Sequence, residues 1–351
     1  MNDSIEINKL ADVVGKLKLE RTKNTGHYDT AVILHLYYVD LWDEICGYLA
    51  NLGKDFDLYI SIVNEADKTI IERIRDIYPN SVIIQMENRG RDIGPFLEIY
   101  PVIAKYYRYI CKIHSKKSEH IDSGATWRNE LYQCLLGSRG RVAEVKMLFD
   151  EFSEIGIVGA AGYLWPCQHH LGANVKNLSF TAQKMGASHV ESFDYEFPAG
   201  SMFWFKPKAL SPLQDLNIKQ MDFEEEEGQL DGTLAHAIER LFISMALLVK
   251  YEAVDTHIFE VIKHFSVGGL NKKLLDQKNF QISWAIIKMI AKRDSQCVAL
   301  NKVVAKRDQE AIKRDQDVTA SLSWRITRPL RFTESLIGKF VKVCLELMDG
   351  G

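Results

Sequence analysis

The sequence predicts an α/β fold, a mostly parallel sheet flanked by helices, with a helical extension at the carboxyl end. Two observations predict it. Between Thr30 and Ile113, short runs rich in Val, Ile and Leu alternate with longer segments whose apolar residues recur at helical spacing. Such alternation builds parallel sheets, because each parallel crossover needs a helix's length of chain. Second, the cationic and glycine-bearing loops fall at the carboxyl ends of the apolar runs, the side on which open parallel sheets hold their ligands.

Taken in order, residues 1–26 read as an N-terminal helix, with Asp3 or Ser4 as cap and Leu10, Val13, Val14 and Leu17 as one apolar stripe. Residues 27–270 form the main domain. Its first strands are Ala31 to Leu36, Asp57 to Val63, Val82 to Met86 and Tyr109 to Ile113, separated by helices over Leu41 to Leu52, Lys68 to Ile77 and Phe96 to Tyr107. A helix over Glu144 to Phe152, a strand over Gly156 to Gly159, a long loop region with some helix over Gly162 to Phe197 and a buried strand over Ala199 to Phe205 follow, then a helix from Thr233 through Phe242. Residues 271–323 read as a charged helical spacer in which a Lys-Arg-Asp triplet recurs at 292, 306 and 313. The heptad-like spacing places Arg307, Asp308 and Arg314 in the core columns, so a solvated helix is expected rather than a coiled coil. Residues 324–351 form a basic tail interleaved with Trp324, Phe340 and aliphatic side chains. It suits either an amphipathic helix on anionic lipid or a helix docked on the protein itself.

Composition removes several classes. With 351 residues, 46% of them apolar, the chain can bury a full core. A net charge of -3 gives no whole-protein attraction for nucleic acid. The six cysteines form no CxxC pair and no zinc-ligand cluster. The amino end lacks a signal-peptide pattern and no apolar run reaches a membrane-spanning length. The expected location is the cytoplasm, with peripheral contact at the inner face of the plasma membrane through residues 324–348.

The chemistry concentrates in Asn88 to Phe96 (NRGRDIGPF) and in Lys112 to Ser118 (KIHSKKS). Arg89, Arg91, Lys112, Lys116 and Lys117 supply positive charge, His114 and the serines supply donors, and Gly90 and Gly94 let backbone approach an anion. The pattern asks for a phosphate ester. There is no P-loop and no dense carboxylate cluster, which argues against a phosphotransferase.

With those two motifs, Gly200 to Trp204 (GSMFW) and Glu227 to Thr233 (EGQLDGT), the chain resembles the rhamnan synthesis protein F family from about residue 29 to residue 245. The resemblance implies assembly of rhamnose-containing surface polysaccharide or O-antigen by a glycosyltransferase using a nucleotide-activated sugar, with dTDP-rhamnose as the suspected donor. It also implies a lipid-linked glycan acceptor and other polysaccharide-assembly enzymes as partners. The strand order further resembles the GT-A glycosyltransferase fold, whose Asp-x-Asp metal motif is replaced here by Lys112-Ile113-His114-Ser115-Lys116-Lys117. Protein cations would stand where a divalent metal stands, which leaves metal use open.

On that reading Arg89, Arg91, Lys112, His114, Lys116 and Lys117 hold the donor diphosphate and Asp92 the nucleoside. Trp127, Arg128, Gly200 and Ser201 lie toward the acceptor. Asp231 is the candidate general base, with Glu227 the alternative; Asp231 equally suits a helix cap and Asp92 a salt bridge to its neighbouring arginines. The rival reading is a non-catalytic glycan-binding or scaffold subunit.

Overall fold

The computed structural model describes residues 4–24, 28–64, 68–117, 124–186, 193–267, 288–294 and 297. The chain divides into two compact units, Met1–Gln296 and Cys297–Gly351, and the sheet with its helices belongs to the first. The tail at 324–351, and the spacer at 271–323 apart from 288–294 and 297, lie outside the described residues.

The architecture is the predicted α/β one, a GT-A-like sheet between two layers of helices. Strands β1 (Ile5–Glu6), β2 (Thr30–His35), β3 (Asp57–Val63), β4 (Val82–Met86), β5 (Tyr109–His114) and β6 (Ile155–Gly159) belong to it. A short antiparallel pair, β7 (Leu164–Pro166) and β8 (Glu196–Pro198), stands apart, and β9 (Phe203–Phe205) and β10 (Glu252–Asp255) return to the main sheet. The order across the sheet is β1-β4-β3-β2-β5-β9-β6-β10, parallel throughout except for β9, which runs antiparallel to both β5 and β6.

Burial on both faces explains the strand sequences. Every residue of β2, β5 and β6 is buried, as expected of strands covered by helices on each side. Phe203 and Phe205 of β9 face one core and Trp204 the other, with the Trp204 indole N–H donating to the Leu135 carbonyl at 3.0 Å.

The helices are α1 (Leu10–Asn24), α2 (Trp42–Leu49), α3 (Lys68–Ile77), α4 (Ile93–Ile103), α5 (Gly124–Leu136), α6 (Arg139–Glu151), α7 (Val175–Lys184), α8 (Pro212–Asp215), α9 (Leu234–Leu248) and α10 (Ile258–Val267). Helix α4 and helix α9 pack through Phe96 and Phe242 against Phe203 and Phe205, and they carry the site. Three details depart from the sequence reading. The amino end contributes Ile5–Glu6 as a parallel edge strand on β4 before the helix begins at Leu10. Strand β10 and helix α10 were not expected. The strand expected from Ala199 is a tight turn at Gly200 and Ser201, both with positive φ (89° and 57°), and β9 starts only at Phe203.

Candidate functional site

The chain passes from β2 outward to β3 and β4, then returns to lay β5 on the other side of β2. Strands β2 and β5 therefore flank the topological switch point, the place where α/β sheets bind ligands, and the loops leaving them are tied together there, Tyr38 N–H donating to Ser115 Oγ at 2.8 Å. His35 and His114 end these two strands and face each other in register. His35 Nδ1 lies 3.0 Å from Ser61 Oγ on β3. His114 Nε2 donates to the Gly200 carbonyl at 2.9 Å, and its own carbonyl accepts the Tyr132 hydroxyl.

One turn of the pleat below His114 is Lys112, on the same face. Its side chain is only 2% exposed. Its ammonium donates to Asp92 Oδ2 at 2.5 Å, to the Ser201 carbonyl at 2.8 Å and to Ser201 Oγ at 2.7 Å, and lies near the Phe96 and Phe242 rings. Burial opposes ionisation of Asp92, but the charges of His114 and Lys112 and hydrogen bonds from Lys112 and Ser201 outweigh it and hold the carboxyl well below the usual range. Asp92, Lys112 and Ser201 form a closed knot that ties α4 and β5 to the Gly200-Ser201 turn. Lys112, expected to meet a diphosphate, has all three donors engaged inside the protein.

The arginines of the NRGRD loop are paired as well. Arg89 donates to Glu225 at 3.1 Å and to the Met221 carbonyl at 3.3 Å. Arg91, at φ 54°, donates to the Gln229 carbonyl and lies 3.5 Å from Glu226. Its Nη1 is 3.0 Å from His236 Nε2. A guanidinium has no acceptor, so His236 Nε2 accepts there, and its Nδ1 lies 2.8 Å from Thr233 Oγ1 and 3.4 Å from Thr233 N. Gly90 permits this clasp: at φ 74° it turns where a Cβ would sit 2.7 Å from the Phe223 ring.

Lys116 differs from these cations. Among the described residues its ammonium makes no hydrogen bond or ion pair and lies 4.2 Å from the centroid of the Trp127 ring. Burial lowers its pKa, opposed by the nearby carboxylates of Glu239 and Asp92. Glu239 on α9 accepts the Gly200 backbone N–H at 3.0 Å, and its side chain is 19% exposed. Burial, then the Asp92 charge, raises its carboxyl above the ordinary range, and Lys116 and Arg240 offset this only in part. Trp127 packs against the other side of Gly200, where a Cβ would sit 3.3 Å from its ring. Trp127 also stacks on Tyr163 and Trp165.

The remaining expected residues have other partners. Arg128 forks onto Glu44 at 3.0 and 2.9 Å and donates to the Lys116 carbonyl at 2.8 Å, pinning the loop that carries Lys116. Lys117 pairs with Asp40 at 2.7 Å. Asp231 accepts the Ala173 N–H at 2.9 Å and the Asn174 amide at 2.5 Å and lies 3.4 Å from Arg240. Although burial opposes this, those hydrogen bonds and Arg240 lower its pKa, so Asp231 bolts the 172–174 turn to the start of α9. Glu227 is exposed on the acidic loop. Glu239 was legible only as one face of a helix shared with His236 and Arg240; nothing local in the sequence marks it as pointing at Gly200.

A divalent cation does not fit these residues. The loop after β5 presents lysines, the Asp92 carboxylate is engaged by Lys112 and Ser201, and no cluster of three His, Cys, Asp or Glu side chains suited to a metal occurs among the described residues. Nor is any helix among them long and apolar enough to cross a membrane.

The buried histidines set a pH response. Burial, ahead of the neighbouring cations, lowers His35 and His114 from 6.5 to about 4. Between those values the unfolded chain binds protons that the fold does not, so stability is full above pH 6.5 and falls as the pH drops toward about 4. Each such histidine contributes a slope of about 1.4 kcal/mol per pH unit. The raised Glu239 carboxyl acts in the opposite sense where it titrates. Urea unfolding across the upper half should show stability falling with acid, and replacing His35 with Asn should flatten the slope.

The fold and the side chains gathered at its switch point define an α/β protein of GT-A-like architecture with a cation and a carboxylate there. The model for rhamnan synthesis protein F matches residues 5–251, and the chain belongs to that family, which acts in rhamnan and polysaccharide synthesis. Proteins from Xanthomonas campestris pv. campestris strain B100 and from a second strain of the same pathovar, each bearing the name "Uncharacterized protein WxcX", are 35% identical to it over 229 residues. The match covers 64% of this chain and 32% of theirs, so the chain spans about a third of the length of these curated relatives.

Proposed function

We propose that the protein transfers a sugar, rhamnose from a dTDP donor in the first instance, onto a growing surface polysaccharide, with inversion at the anomeric carbon. The observation that carries this reading is the pair at the switch point: Lys116, whose ammonium has no hydrogen-bonded partner among the described residues, and Glu239, a carboxyl whose pKa is raised. Each feels the other's charge, and perturbed groups of opposite charge in one neighbourhood are what acid–base chemistry uses. In the proposed step Glu239 takes the acceptor hydroxyl proton while that oxygen attacks the anomeric carbon. The bond to the nucleoside diphosphate breaks, and Lys116 neutralises the leaving phosphate. Trp127 orients Lys116, Arg128 fixes its loop, and the Asp92–Lys112–Ser201 knot holds the Gly200 N–H against Glu239. The base assignment thus passes from Asp231 and Glu227 to Glu239, and the diphosphate contact from six residues, five of them cations, to Lys116 first. Arg89 and Arg91 would join only by exchanging Glu225 and Glu226 for the ligand.

Titration calorimetry with a panel of nucleotide sugars, in EDTA, tests the reading. A dTDP sugar should bind, and Lys116→Ala should weaken it by about 1.5–3 kcal/mol, the worth of a charge-assisted bond. Absence of binding by every nucleotide, with or without magnesium, would favour the non-catalytic scaffold.

A further inference from the structure

Both arginines of the NRGRD loop are occupied by one short segment, residues 224–230, which runs between two anchors. Phe223 is buried against Gly90 at one end, and Asp231 is tied to Ala173 and Asn174 at the other. Glu224 serves the second anchor, its carboxylate accepting the Leu234 N–H at the start of α9 at 3.0 Å. Beyond it the chain makes a single antiparallel bridge, Glu225 to Arg89, and no helix or strand up to Leu230. Leu230 is 74% exposed, and Gly228 turns at φ 77° with nothing packed where a Cβ would stand. Charge holds the segment down: Glu225 meets Arg89 at 3.1 Å, and Glu226 lies 3.5 Å from Arg91, which also donates to the Gln229 carbonyl. That hold is weak. The Glu225 side chain is 80% exposed, so its ion pair contributes little and is screened by salt. Burial raises the Glu226 carboxyl above its ordinary range and Arg91 offsets this only in part, so the second pair does not repay its desolvation.

We propose that residues 225–230 are an autoinhibitory strap, whose Glu225 and Glu226 carboxylates occupy Arg89 and Arg91 in the free protein and yield them to the diphosphate of an incoming nucleotide. The proposal rests on the donor reading of the site and adds how that site is regulated. A guanidinium fork accepts a carboxylate or a phosphate in the same geometry, and a phosphoryl group brings more charge and more acceptor oxygens than a carboxylate. Lys116, whose pKa burial lowers, also feels the charge of Arg91, so the strapped arginine and the lysine act on one neighbourhood. The anchors at Phe223 and Asp231 keep the strap tethered, and it closes again when the anion leaves.

Calorimetry on the full chain with inorganic pyrophosphate and with dTDP is the test. Glu225→Gln should tighten both by about twofold to fivefold, and Glu225→Gln with Glu226→Gln by about tenfold or more. Glu227, exposed in the same run and without an ion pair among the described residues, measures the unspecific effect of removing a charge, and Glu227→Gln should change affinity by less than about twofold. With Arg89→Gln in the background, the gain from Glu225→Gln should vanish. A Glu-specific protease reads the motion itself: pyrophosphate should speed cleavage after residues 225–227 of the wild type by about threefold or more, since a released strap is an open substrate. Equal affinity in wild type and double variant, an equal gain from Glu227→Gln, strap cleavage unchanged or slowed by bound pyrophosphate, or no binding of either anion by any variant would overturn the proposal. Its fate separates from that of the donor reading. Pyrophosphate held more tightly by the double variant, with no nucleotide or nucleotide sugar bound by either protein, would keep the strap and remove the donor; dTDP binding lost in Lys116→Ala but unmoved in the double variant would do the reverse.

Discussion

Glu239→Gln should lower kcat for sugar transfer by about two to four orders of magnitude, the contribution of a positioned general base, while the affinity for a nucleotide sugar stays close to that of the wild type. The amide keeps the oxygen that accepts the Gly200 N–H, so the turn should hold its shape while the base is lost. The pH profile supplies an independent reading. A base must be ionised to work, and burial has lifted this carboxyl above its ordinary 4.5. The acidic limb of kcat against pH should therefore turn above that value and vanish in the variant. Asp231→Asn is the contrasting case. Asp231 holds Ala173 and Asn174, so its replacement should lower the melting temperature more than it lowers kcat per folded molecule. If Asp231→Asn abolishes transfer and Glu239→Gln does not, the roles are as the sequence alone suggested.

That contrast shows where sequence reading reaches and where it stops. Strands β3 and β4 and helix α3 were legible residue for residue, because each is a continuous apolar or amphipathic run closed by turn residues, and local pattern decides such elements. Strand β9 was legible as buried but not as antiparallel, since Phe-Trp-Phe carries no mark of direction. Two of its neighbours lie far away in sequence, at Lys112 and Gly159. The site divides in the same way. NRGRD and KIHSKK announced themselves by charge, and both do converge on the switch point. Which of their cations is left for a ligand depends on partners more than a hundred residues distant, such as Glu225 for Arg89 and His236 for Arg91. The acidic run Glu224 to Glu227, which precedes Asp231 in the sequence, supplies the counter-charge to the arginine loop through Glu225 and Glu226. Charge composition located the region, and only the fold distributed the pairings.

Asp92→Ala should be the most destabilising of the single changes considered, by about 3–5 kcal/mol, because it strands the Lys112 ammonium where only 2% of its side chain meets solvent. The double variant Asp92→Ala, Lys112→Met should recover most of that loss. A thioether of similar length fits between Phe96 and Phe242, which already border the ammonium at 5.4 and 5.9 Å, and no charge then remains to be buried. Chemical unfolding of the two variants, with Lys112→Met alone completing the cycle, measures the coupling. A double variant as unstable as Asp92→Ala would show that the carboxylate is needed for something other than its lysine. The recovered protein should still be impaired in transfer. Lys112 holds both the carbonyl and the hydroxyl of Ser201, whose positive φ is a conformation a serine keeps only under such restraint. Released, the turn would carry the Gly200 N–H away from Glu239. Stability restored without activity is therefore the result expected if the buried ion pair serves to aim the turn, whereas full activity in the double variant would mean that Gly200 keeps its place without it.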